Sequence, residues 1–90
     1  MGWDVKLCAR KGDIEEVFID FGRIGYVEAV REFFGRFPNC QENELNSKQI
    51  KELLGIVYPN LSELSDSWGD LFILPYMIKD GYKVFVENSY

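Results

Sequence analysis

Residues 3–21 alternate apolar and polar side chains with a period of two, and this pattern constrains the fold more than any other feature of the chain. Trp3, Val5, Leu7 and Ala9 alternate with Asp4, Lys6, Cys8 and Arg10; after Lys11-Gly12-Asp13, Val17, Ile19 and Phe21 alternate with Glu16, Phe18 and Asp20. A period of two is that of a strand with one buried face, so the segment predicts a β-hairpin. A connection that sets odd residues opposite odd ones keeps Val5 and Leu7 away from the acids, which favours a three-residue loop with Gly12 at positive φ. In that register Lys6 and Arg10 share the outer face with Glu16 and Asp20 and pair across the strands.

The period then changes. Gly22-Arg23-Ile24-Gly25 breaks the strand, and Tyr26, Val30, Phe33 and Phe37, widened by Val27 and Phe34, form a helical stripe over 26–37. Glu28 with Arg31 and Glu32 with Arg36 are spaced to pair on its polar side, and Pro38-Asn39 stops it. Asn46 followed by Gln49 reads as a capping box ahead of a second stripe, Ile50, Leu53, Leu54 and Val57, which ends at Tyr58-Pro59. Asn60 with Glu63 repeats the cap signal, and Leu61, Leu64 and Trp68 extend a short third helix to about Gly69.

The apolar run 71–78 suits a buried strand or a continued helix, and Pro75 in a helix interior would cost about 3 kcal/mol, which favours a strand at a sheet edge. Asp80-Gly81 is a two-residue turn signal and Tyr82 to Glu87 is rich in strand formers. The expected fold is therefore a single α+β domain over 1–90. Two β-hairpins, N- and C-terminal, build an antiparallel sheet against two or three helices, in the order ββαααββ.

Ninety residues with 47% hydrophobic and 16% aromatic content are enough for one folded domain, and too apolar for a disordered tail. No apolar run is long enough for a membrane span, and no basic stretch leads into an apolar one near Met1, so a cytoplasmic protein is expected. Cys8 and Cys40 are too few for a disulfide framework and point to reduced thiols. The net charge of -5 is concentrated. Residues 42–70 carry Glu42, Glu44, Glu52, Glu63, Asp66 and Asp70 against Lys48 and Lys51, and no Lys or Arg occurs from Glu52 to Ile78. Such a surface repels phosphate backbones, so direct nucleic-acid binding is not expected.

The chemical inventory is sparse. The chain has no histidine, hence no histidine base, no Ser-His or Cys-His pair and no ordinary zinc set, and no calcium loop is present. Gly22-x-x-Gly25 lacks the third glycine of a dinucleotide fingerprint and the Lys-Ser/Thr of a P-loop, and reads as a turn; only Arg23 at its tip keeps an anion site open. Carboxylate pairs, Glu15-Glu16 or Asp66 with Asp70, are the one route to an enzyme. The expectation is no catalysis, no cofactor and no metal.

One strip joins aromatics to uncompensated acids: Tyr58, Trp68, Phe72 and Tyr76 with Glu63, Asp66 and Asp70. Aromatic anchors beside carboxylates suit docking on a basic protein, with Tyr58, Glu63, Asp66, Trp68, Asp70 and Tyr76 as contacts, although aromatics at helical spacing are more often core. In size, charge and missing chemistry the chain resembles the broad group of toxin-immunity proteins and phage-encoded inhibitors of host defence nucleases. That resemblance implies a non-enzymatic inhibitor, monomeric or weakly dimeric, blocking a nuclease or another basic, nucleic-acid-handling protein. The alternative is a homo-oligomeric structural or assembly component that pairs through an exposed strand edge, Pro75–Ile78 or the last strand.

Overall fold

The N-terminal hairpin settles a conflict between its turn and its hydrophobic pattern. In the computed structural model, which describes residues 3–24 and 27–90 with 21–23 as backbone only, β1 (Asp4–Lys11) pairs antiparallel with β2 (Ile14–Arg23). The connection has two residues, not three: Lys11 faces Ile14, and Gly12 alone takes positive φ, +59°, as in a type II′ turn. Such a turn sets even residues opposite odd ones, as in Arg10 with Glu15 and Cys8 with Val17, whereas the apolar pattern needs Leu7 opposite Ile19. Two register shifts supply the difference, which is why β2 has ten residues against eight in β1. The shift at Phe18 returns Ile19 to the core beside Leu7. Arg10 consequently meets Glu15 rather than Glu16.

The remaining elements are α1 (Glu28–Phe34), β3 (Glu42–Leu45), α2 (Ser47–Val57), α3 (Leu74–Lys79) and β4 (Lys83–Ser89), with 3-10 helices over Tyr58–Glu63 and Asp66–Ile73. The fold is α+β, with one antiparallel sheet in the order β2-β1-β4-β3 and helices packed on one of its faces. Val5, Leu7 and Ala9 of β1 and Val84 and Val86 of β4 supply alternate buried positions to a core shared with Phe33, Phe34, Ile50, Leu53, Trp68 and Leu71. Asn88 continues the inward row of β4. Buried, it donates to the Phe34 and Phe37 carbonyls at 2.7 and 3.2 Å, tying the end of α1 to the sheet.

α2 begins as its sequence indicates. The Asn46 side chain accepts from the Gln49 N–H at 2.8 Å, and the Gln49 side chain accepts from the Asn46 N–H at 2.9 Å, a complete capping box. Asn60 does not cap a new helix; its amide donates back to the Ile56 carbonyl at 2.8 Å, and Tyr58–Glu63 continues as 3-10 helix. α1 is shorter than the stripe that marks it, and Arg36 pairs with Glu52 of α2 rather than with Glu32. Gly25, where the turn was expected, and Tyr26, the expected helix start, lie outside the described residues, as does the Arg23 side chain.

The largest correction concerns residues 71–78, which are helical and not a strand. Trp68, Leu71 and Leu74, all buried, are three apart, the period of a 3-10 helix. Pro75 falls in the first turn of α3, where its missing N–H removes no interior hydrogen bond. Asp80-Gly81 is accordingly a helix terminus instead of a hairpin turn. The Tyr82 N–H donates to the Met77 carbonyl and the Gly81 N–H to the Ile78 carbonyl, both at 3.0 Å, with Gly81 at φ +98°, a Schellman motif. The strand beside β4 comes from Glu42–Leu45. β4 is therefore paired on both sides, so neither it nor Pro75–Ile78 offers a free edge; the edges are β2 and β3.

Candidate functional site

The open face of the sheet is organised around Arg10. Its guanidinium lies 4.8 Å from the centroid of the Phe85 ring and donates to Glu42 at 2.5 and 2.6 Å and to Glu15 at 2.6 Å. The pairing holds the Glu42 carboxyl below its usual range and keeps Arg10 protonated. Cys8, one pair away on the same face, is buried, and desolvation raises its pKa. One guanidinium thus ties two carboxylates together, which makes this cluster a structural network with one negative charge in excess.

The six residues singled out by sequence separate into three groups. Trp68 is fully buried, its ring 5.9 Å from Phe34, so it anchors the second 3-10 helix in the core and presents nothing to a partner. Tyr58, 71% exposed, stands edge-on to Phe72 at 6.0 Å, and Glu63 and Asp66 are exposed nearby in sequence. Asp70 and Tyr76 are brought together on a groove that the sequence strip did not delimit.

That groove lies between β2 and the helical segment 69–77. Val17, Phe18, Gly69, Asp70 and Ile73 line one end; Glu16, Phe18, Ile73, Tyr76, Met77, Asp80 and Tyr82 line the other. Phe18 and Ile73 line both, so the two ends adjoin across these side chains. Val17, Ile73 and Tyr76 are large apolar or aromatic side chains left exposed, Tyr76 by 72%. The register shift at Phe18 is what turns this ring toward the helices. Around this apolar floor stand the carboxylates of Glu16, Asp70 and Asp80, of which Asp80 contacts Lys11 at 3.5 Å. Glu16 and Asp70 have no ion pair with a described residue.

The sequence offers Val17 and Phe18 as strand positions and Glu16 as half of a carboxylate pair, with none of them in the acidic strip. A sequence signal for their role existed: from Gly12 to Gly22 the chain carries Asp13, Glu15, Glu16 and Asp20 and no Lys or Arg. Among the described residues no group of three or more Cys, Asp or Glu side chains is placed to hold a metal ion, and no helix is long and apolar enough to cross a membrane. Mostly apolar at its Tyr76 end and mixed at its Asp70 end, with acids on its rim, the groove is suited to receiving apolar side chains from a segment that also carries cations. The chain matches no protein family, no curated protein and no solved structure, so its function has to be read from these residues themselves.

Proposed function

We propose that the protein is a non-enzymatic binding module that docks on a basic, nucleic-acid-handling protein, such as a nuclease, and blocks its charged surface. The observation that carries this reading is the groove in which exposed Ile73 and Tyr76 and half-buried Phe18 lie beside the carboxylates of Glu16 and Asp70, which have no ion pair among the described residues. Exposed aromatic and aliphatic groups supply anchoring area, and carboxylates steer the approach of a cationic partner. Glu63 and Asp66 add to the steering field without lining the groove. Their effect is felt over a Debye length of about 8 Å at physiological salt. The free thiols of Cys8 and Cys40 suit a reducing, cytoplasmic setting.

The test is surface plasmon resonance at two salt concentrations against the partner recovered by affinity capture from source-cell lysate. Replacing Glu16 by Gln and Asp70 by Asn together should slow association and flatten its salt dependence, while Tyr76→Ala should speed dissociation. An acidic partner, or association of the double variant as fast as wild type at low salt, would overturn the reading.

A further inference from the structure

β2 is an edge strand, and its outer edge runs along the groove. Because a two-residue turn makes Lys11 and Ile14 the hydrogen-bonded pair that closes the hairpin, the alternate residues Glu15 and Val17 point their N–H and C=O groups away from β1. Natural edge strands are blunted by charges, proline, β-bulges or a covering element; here the bulge at Phe18 limits pairing to Ile14–Val17, and the acids act against other acidic strands but not against a basic one. Over Ile14–Asp20 this edge has no lysine, no proline and exposed Ile14 and Val17. Its exposed charges, Glu15, Glu16 and Asp20, are all negative. On one side of the strand the next surface is the Phe18, Ile73 and Tyr76 groove; on the other is Glu15.

Resting on the docking reading above, we infer that the partner is held by strand addition: an extended segment of it pairs with β2 as a fifth strand, its basic residues lying on the Glu15 side of the sheet, with Glu16 and Asp70 at the groove steering its approach. Its alternate apolar side chains enter the groove. Main-chain hydrogen bonds then supply affinity and the groove supplies selection. Charge decides against a second copy of this chain as occupant. Pairing β2 with β2 would face acids with acids, and the other edge, β3, carries Glu42 and Glu44.

The experiment uses isotope-labelled protein and three synthetic peptides of about eight residues alternating lysine and valine. One is unmodified, and the other two carry N-methyl groups on odd or on even amides. An added strand uses only alternate amides, so one methylated peptide should bind about tenfold or more weakly than the parent and the other nearly as well. The parent should shift and slow the exchange of the Glu15 and Val17 amides. Val17→Pro, checked for an otherwise unchanged NMR spectrum, should weaken parent binding to the level of the poorer peptide.

Equal binding of all three peptides with shifts confined to Asp70 and Tyr76 would leave the docking reading intact and overturn strand addition. Equal loss with both methylated peptides, or no binding of the parent, would overturn strand addition too, with the docking reading decided separately by the salt-dependent kinetics of the captured partner.

Discussion

Arg10 of β1 and Glu42 of β3 form a two-point ion pair although β4 lies between their strands. The guanidinium crosses that strand on the face of Phe85 and also holds Glu15 of β2, so one side chain ties together all four strands. A planar cation with several donors can do this; a lysine ammonium cannot satisfy two carboxylates and a ring in the same geometry.

That arrangement sets a pH dependence. Arg10 depresses the pKa of Glu42 in the folded state from its ordinary value of 4.5. A depressed carboxylate contributes stability above its unfolded pKa, and the contribution is lost as pH falls through the folded value. Glu42→Gln should therefore lower the thermal midpoint at neutral pH, with the difference from wild type closing under acid conditions. Melting curves from pH 7 downward check this; a gap that persists unchanged in acid would show that the ion pair contributes nothing.

Gly81→Val should destabilise the fold by about 1–3 kcal/mol, because a β-branched residue is strained at the positive φ of the α3 terminus. An added Cβ meets only the end of the Lys11 side chain at 3.6 Å, so strain and not collision is the cause. Urea denaturation measures it. The loss should be smaller for Gly81→Asn, which tolerates the left-handed region better.

Two aromatics of the acidic strip, Trp68 and Tyr76, should behave in opposite ways. Trp68→Ala empties the centre of the core at a cost of about 3–5 kcal/mol, a large share of the 5–15 kcal/mol typical of a domain. Tyr76→Ala should change stability by no more than about 0.5 kcal/mol. Chemical denaturation of both variants compares them; a strongly destabilised Tyr76→Ala would place that ring in the core and remove it from the groove.

Asn88→Leu keeps the volume but leaves the Phe34 and Phe37 carbonyls without their buried donor, at a cost of about 1–3 kcal/mol. Amide exchange in α1 should accelerate more than in α2, since Asn88 bonds only the former. Uniform acceleration would show that the contact is not local.

Thiol chemistry should separate the cysteines. Cys40 is exposed, whereas Cys8 is buried and its thiolate disfavoured, so a colorimetric disulfide reagent should titrate one thiol in the native protein and the second only in denaturant. Two rapid native thiols would mean that the sheet opens around Cys8.

The features legible in the sequence were those written within a few consecutive residues. The period of two marked β1 and β2, the Asn46–Gln49 box marked the start of α2, and Gly12 and Gly81 were readable as positions of positive φ. Each depends on local sterics or on a hydrogen bond spanning three residues. What tertiary structure decided was everything that depends on a distant partner. Glu42–Leu45 has a single buried apolar residue and no pattern of its own; it is a strand because β4 offers it a free row of backbone groups. Residues 71–78 look like a strand by composition, yet Trp68, Leu71 and Leu74 can all enter the core only at a spacing of three, and Pro75 is harmless at a first turn. The same packing buried Trp68, left Tyr76 outside, and set it across from a Phe18 more than fifty residues earlier in the chain. No local propensity encodes that meeting, because it exists only once the edge of the sheet and the second 3-10 helix have packed on a common core.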